Sequence, residues 1–456
     1  MIRSEIIIIT LIILMTLVFV FLLPEKAGVA IVGLTGIIAI SIKRIRSDWR
    51  LLALVLLTLA AHHILSLTNA FYTTLKGADV DAITFHDTAV LMANSIQPEW
   101  FGEFGGLDVG SKFYSRLLSV FYRFFGSSMF LGQELSVLIY LGSCILLIKF
   151  TDLLGIRKWR LGIVALYGLL PSLVIFTSIT LRESYQIFLY LLLAYQALRL
   201  RQNPSVKKVS LIISAGLGLA ILHNGLIIYA VFMISVGLLW GLRVSIRSWR
   251  RQTILPLIVA FTLIVGIVIA WTFFASEMGG ASRALILGEG ADYAGVYRDR
   301  TTTSYDRASY GGKLDTSSVT AFIPSAATVF TMYMFAPFPW QISDAVDIYG
   351  AIEGYLRLLL IYQAMATWYR ASGERRSQWG FLLICFFSLE FLWAMGTANW
   401  GTAIRHHTVA YCLLVLTGGP GLFRMIIKPF SRLKRKAPRS RFVPVVNKQG
   451  FAREES

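Results

Sequence analysis

The chain has 456 residues, 56% of them hydrophobic and only 15% charged, with a mean hydropathy of +0.66 and a formal net charge of +18. That balance excludes an ordinary soluble globular domain and predicts an all-α polytopic membrane protein. The positive charge would suit a nucleic-acid partner, but it sits in short breaks between apolar runs, which excludes that reading. Cys144, Cys385 and Cys412 all lie inside apolar runs, so neither a disulfide framework nor a metal-spaced cysteine set is present.

A span needs about 20 apolar residues. Runs between charged breaks predict about twelve spans: 6–23, 27–42, 51–68, 127–149, 161–178, 184–198, 209–222, 226–242, 253–274, 348–369, 379–396 and 408–424. The first is long, lacks a small-residue cleavage site and leads straight into a second apolar run, so it reads as a retained span rather than a signal peptide. The breaks at 43–50, 149–160, 199–208, 243–251 and 370–376 are all basic, as is the tail containing "RLKRKAPRSR". Lys and Arg stay preferentially on the cytoplasmic side. Each apolar block between two such breaks therefore crosses an even number of times, which splits 209–242 into two short helices turning at "LHNG".

Both termini then fall inside, and two long loops, 69–126 and 275–347, fall outside. The expected organisation is an N-terminal hairpin at 1–50, a main unit at 51–426 and a basic cytoplasmic tail at 427–456. In the first loop "KFYSRLLSVFYRFFG" reads as an amphipathic helix for the headgroup layer. The second loop ends in "VTAFIPSAATVFTMYMFAPFPW", which fits a re-entrant or interfacial element because a full crossing would put "RASGERR" outside.

Polar residues then gather on the outer side. The stretch "GADVDAITFHDTA" opens the first loop with Asp79, Asp81, His86 and Asp87. Arg182 and Glu183 tip the third hairpin, His223 and Asn224 the fourth, and "NWGTAIRHH", with Arg405 and His406, the sixth. Each has a plainer reading: a solvated loop or helix N-cap for the aspartates, a local Arg182–Glu183 ion pair, a tight turn at His223–Asn224, and an interfacial anchor for the last. Inside the spans, His62 and His63 read as hydrogen-bonding to neighbouring helices, while Glu353 and Arg357, four apart, predict an ion pair on one helix. Glu134 and Glu390 are intramembrane acids, which are costly there and default to functional or paired readings. A shared polar site at the outer boundary explains the convergence that separate plain readings do not.

This arrangement resembles the GT-C superfamily of integral-membrane glycosyltransferases, which carry an acidic motif in an early outer loop. "DVDAITFHDTA" looks like that motif, "LYGLLPSLVIFTSITLRESYQIFLYLLLAY" is similar to a proline, serine, then Arg-acid pattern of bacterial members, and "FAPFPWQ" and "NWGTAIRHH" look like segments of bacterial polysaccharide-assembly proteins. The resemblance covers about residues 51–410. Two extra spans precede the acidic loop here, where the family usually has one, and His223 with Asn224 stands where an arginine would be expected.

The resemblance implies sugar transfer from a polyprenyl-phosphate or pyrophosphate donor to a glycan or lipid acceptor at the outer face of a bacterial plasma membrane. Asp81 would be the general base with Asp79 as its neighbour. His86, Asp87, Arg182, Glu183, His223, Asn224, Arg405 and His406 would contact donor or substrate, the arginines matching phosphate best. No obligatory cofactor is expected; a divalent cation such as Mg or Mn, if any, would fall to Asp79 and Asp81. Membrane lipids are the other expected partners, and no nucleic acid. The rivals are a lipid-linked sugar transporter or flippase, an O-antigen polymerase or ligase of the unrelated polytopic fold, and a non-catalytic scaffold. Outer clustering weighs against transport, which places polar sites near the midplane.

Overall fold

A computed structural model describes residues 25–75, 79–95, 110–223, 225–242 and 317–436, with isolated positions at 10, 12–14, 16, 309, 314 and 315. Most of the first expected span, all of 253–274, and Asn224 lie outside the described residues. The described chain is helical. Its one β-type contact is an isolated bridge between Ser309 and Asn399.

In chain order the helices are α1 (Lys26–Ser41), α2 (Lys43–Arg46), α3 (Trp49–Phe71), α4 (Asp79–Asn94), α5 (Ser111–Phe125), α6 (Met129–Leu153), α7 (Arg160–Leu169), α8 (Pro171–Thr177), α9 (Glu183–Gln202), α10 (Val206–Leu222), α11 (Leu226–Gly241), α12 (Val319–Phe335), α13 (Ala345–Arg370), α14 (Gly373–Gly396) and α15 (Trp400–Lys436). Among the described residues four helices are long and apolar enough to cross a membrane: α3, α6, α14 and the Trp400–Ile427 part of α15. The helical, apolar character is as expected, whereas the count of twelve is not reproduced. α1, α11 and most of α12 are apolar but shorter. α13 has the length, yet it carries Asp347, Glu353, Arg357 and Arg370.

The expected span at 161–178 is not one straight helix. It breaks between Leu169 and Pro171, and its two halves meet at a bend of 62°. Proline lacks an N–H and disfavours helical backbone in the residue before it; Leu170 accordingly is extended, at φ −66° and ψ 124°. The bend lets α8 end beside α4 and the start of α9 instead of continuing along α7.

The acidic stretch is also not a loop. It opens α4, whose buried residues Ala82, Phe85, Ala89 and Ala93 recur at spacings of three and four. Such spacing puts them on one helix face, and three alanines there let α5 approach closely. α5 answers with Tyr114, Ser115, Leu118, Ser119 and Tyr122 buried, leaving Arg123, Phe124 and Phe125 exposed, the two-faced pattern its sequence predicts.

Two apolar cores result. The larger joins α3, α6, α7, α9, α10, α11, α13, α14 and α15. The smaller gathers Ala82, Phe85, Tyr114, Leu118, Tyr122, Leu131, Phe176, Leu181, Leu222 and Ile404. This second core draws the ends of α4, α8, α9, α10 and α15 to one place.

α13 and α15 pack most intimately at Gly418, where an added Cβ would overlap the Leu360 backbone carbonyl. Close approach through small residues is the usual basis of helix association in lipid. Gly418→Ala should therefore destabilise the protein by about 1–3 kcal/mol through overpacking. Thermal denaturation in detergent checks this against Gly396→Ala, where nothing lies within 4 Å of the added Cβ.

Candidate functional site

The smaller core is the floor of a polar cluster. Asp81, on the first turn of α4, accepts from Arg405 Nη1, and Glu183, the first residue of α9, accepts from Arg405 Nε. Arg405 projects from the first turns of α15, whose start is set by Asn399: its Oδ1 takes the backbone N–H of Thr402 at 2.8 Å, a side-chain N-cap. One guanidinium thus bridges two carboxylates lying 324 and 222 residues away in sequence. The carboxylates are not equivalent, since the Glu183 side chain is 3% exposed and that of Asp81 53%.

The local Arg182–Glu183 ion pair read from the sequence is replaced by this Arg405–Glu183 pair. Arg182 instead lies over the Phe85 ring, 5.4 Å from its centroid, and donates from Nη1 to the Leu222 carbonyl at 3.3 Å. Arg182 Nε and Glu183 Oε2 are buried without a hydrogen-bond partner. Unpaired buried polar atoms are costly, so their retention at one spot marks a place where a polar ligand would be stabilised.

His223 lies behind the arginines. Its Nδ1 accepts the Gly225 N–H at 3.0 Å, and its ring meets the edge of Trp393 at 4.8 Å. Burial first, then Arg182, His406 and Arg405, hold this imidazole well below its ordinary value, so it is neutral and can donate from Nε2. His406 stacks on the other side of the site against Trp393, 4.0 Å between centroids, with Nδ1 at 3.0 Å from Thr397 Oγ1.

Of the residues singled out in the sequence, Asp81, Arg182, Glu183, His223, Arg405 and His406 therefore converge. His86 and Asp87 do not join them. His86 turns to the Tyr122 hydroxyl at 2.9 Å, where burial lowers its pKa against the opposing pull of Asp87 and Glu25, and Asp87 is exposed. Asp79 opens α4, but its side chain lies outside the described residues, as does Asn224. Sequence reasoning missed Phe85 and Trp393. The signal for Phe85 was its position four residues after Asp81 on what proves to be a helix; Trp393 carried none.

The residues that follow "FAPFPWQ" meet the same helix start. Asp347 Oδ1 accepts from Trp400 Nε1 at 2.8 Å, while its Oδ2 gathers the Ser343 N–H and hydroxyl and the Asp344 N–H. Phe338 and Trp340 stack beside this knot, Trp340 being largely exposed.

The intramembrane residues resolve differently from expectation in part. His63 pairs with Glu134 at 2.7 Å across helices, as its reading requires, while His62 bonds within its own helix to the Thr58 carbonyl and stacks on Tyr140. The Glu353–Arg357 ion pair does not form among the described residues. Glu353 accepts the Ser172 backbone N–H at 2.9 Å, and Arg357 donates to the Met334 carbonyl. Both are drawn to buried helix ends, the start of α8 and the end of α12, where backbone groups need partners.

Among the described residues no three His, Cys, Asp or Glu side chains gather as a metal ion would require. Asp81 gives one oxygen to a guanidinium, the Asp79 side chain lies outside the described residues, and no step is assigned to a cation. The described residues define a helical, membrane-type protein with an arginine-bridged acidic cluster. No protein-family model matches the chain, and no curated protein matches it.

Proposed function

We propose that the chain is a membrane glycosyltransferase that moves a sugar from a polyprenyl-phosphate or -pyrophosphate donor to an acceptor hydroxyl, at the extracytoplasmic face of a bacterial plasma membrane, in envelope polysaccharide assembly. The observation that carries this reading is the Arg405 bridge between Asp81 and Glu183. A phosphate is the natural competitor for a guanidinium already held by carboxylates. As donor phosphate engages Arg405 and the free Nε of Arg182, Asp81 is released to take the acceptor proton.

In that step the acceptor oxygen bonds to the anomeric carbon, the bond from that carbon to the phosphate oxygen breaks, and the polyprenyl phosphate leaves with its charge balanced by the arginines. Glu183 holds Arg405 in place from the buried side. The neutral His223 is a further donor to phosphate oxygen. Both helix starts that supply the site, those of α9 and α15, direct positive dipole ends toward it.

A second reading, a transporter of lipid-linked sugar, draws support from the paired acids and histidines buried within apolar helices. One experiment separates the two. The purified protein in lipid nanodiscs, given a polyprenyl-phosphate sugar and a hydroxyl acceptor, should yield glycosylated acceptor and free polyprenyl phosphate by mass spectrometry. Movement of intact donor across liposomes with no cleavage would sink the transferase reading in favour of transport.

A further inference from the structure

The C-terminal end of α12 faces two buried side chains that can donate, His407 and Arg357. Normally a helical carbonyl accepts from the N–H four residues on. For Tyr333 that residue is Pro337, which has no N–H, so the Tyr333 carbonyl is left for another donor. His407 Nε2 takes this place at 3.1 Å, and Arg357 Nη1 takes the neighbouring Met334 carbonyl. On its other side His407 meets Glu390, Nδ1 to Oε2 being 2.6 Å. Both side chains are 1% exposed.

The proton count follows from these partners. A carbonyl oxygen can only accept, so Nε2 carries a hydrogen. A neutral imidazole has one N–H, which leaves Nδ1 with a lone pair facing a carboxylate oxygen, an unfavourable contact at that distance. Adding one proton, on Nδ1 or on Oε2, satisfies both contacts and makes the pair neutral as a whole. From these contacts we infer that the His407–Glu390 pair is a proton-binding site within the helix bundle, loaded with one proton near neutral pH.

Two features favour the loaded state. The last carbonyls of α12 carry the negative end of the helix dipole, which stabilises a cation. Stripping the proton would leave the buried Glu390 carboxylate facing the bare Nδ1 lone pair, with Arg357 as the nearest cation, a costly contact. The charged and titratable groups facing His407 are Glu390 from α14, Tyr333 from α12 and Arg357 from α13, with His406 and Tyr411 on its own helix. The superficially similar His63–Glu134 pair needs no extra proton. Its Nε2 faces the Thr35 hydroxyl at 3.0 Å, and that hydroxyl also reaches the Val32 carbonyl at 2.8 Å; a hydroxyl, unlike a carbonyl, both donates and accepts, so these contacts do not force a hydrogen onto Nε2.

α15 carries both His407 and Arg405, so loading of this site and the seating of the outer cluster act on one helix. The inference itself does not depend on the transferase reading. The test is a proton count on the full chain in nanodiscs at about pH 7, with nitrogen-15 NMR of labelled histidines and infrared detection of protonated carboxyl groups. His407→Gln identifies the His407 signal. The expected result is a His407 imidazolium that becomes neutral in Glu390→Gln, or a buried carboxylic-acid band that disappears in Glu390→Gln while the ring stays neutral. Should His407→Gln fail to fold, the difference between wild type and Glu390→Gln still gives the count. A neutral His407 ring beside an ionised Glu390 in the wild-type protein would overturn the inference.

Discussion

Arg405→Met is expected to lower the stability of the purified protein by about 3–5 kcal/mol, the usual loss when one partner of a buried ion pair is removed. The cause is Glu183, whose side chain is 3% exposed and whose Oε2 already lacks a partner. Without Arg405, Oε1 loses its partner as well and the charge stays buried with no protein hydrogen bond. The exposed Asp81 partner adds little, because a solvated ion pair is worth about 0–1 kcal/mol. Adding Glu183→Gln to Arg405→Met should therefore restore most of the stability, a coupling that thermal denaturation of the two single variants and the double variant measures. Strictly additive losses would mean that Glu183 draws its compensation from elsewhere, with Arg182 the nearest alternative. Arg405→Lys keeps the charge but cannot reach both carboxylates with one planar fork, so it should fall between wild type and Arg405→Met.

Much of this cluster was legible because hydrophobic periodicity and basic breaks assign polar residues to one side of a helical protein. Asp81, Arg182, Glu183, His223, Arg405 and His406 were placed at one face from those breaks, and the structure brings their side chains together. What the sequence could not supply was pairing. Arg182 and Glu183 are adjacent, which suggests a local contact, yet the two side chains leave a helix start in different directions and Glu183 meets Arg405 instead. Glu353 and Arg357 have helical pair spacing, but broken helices nearby offer them backbone partners that no local pattern reveals.

The acidic stretch was misread as loop for a related reason. Its apolar face is mostly alanine, which contributes little to an apolar pattern, and only the close approach of α5 shows that Ala82, Ala89 and Ala93 are interior residues. Glu390 and His407 lie 17 residues apart across the turn between α14 and α15, and nothing in either segment alone announces the pair.

Asp81→Asn is expected to reduce sugar transfer by about a hundredfold to ten-thousandfold, the range in which positioned general bases contribute. Asparagine keeps the size of the side chain and an oxygen that can accept from Arg405, but it cannot take up the acceptor proton. Because the Asp81 side chain is 53% exposed, its replacement should cost little stability, and the variant should purify and melt like wild type. That separates it from Arg405→Met, where activity and stability are expected to fall together. Single-turnover assay of Asp81→Asn with saturating donor and acceptor measures the chemical step directly. A rate near that of wild type, in protein of normal stability, would reduce the exposed carboxylate to a surface partner of Arg405 and would leave Glu183, buried and with one oxygen unpaired, as the acid to which the chemistry must be reassigned.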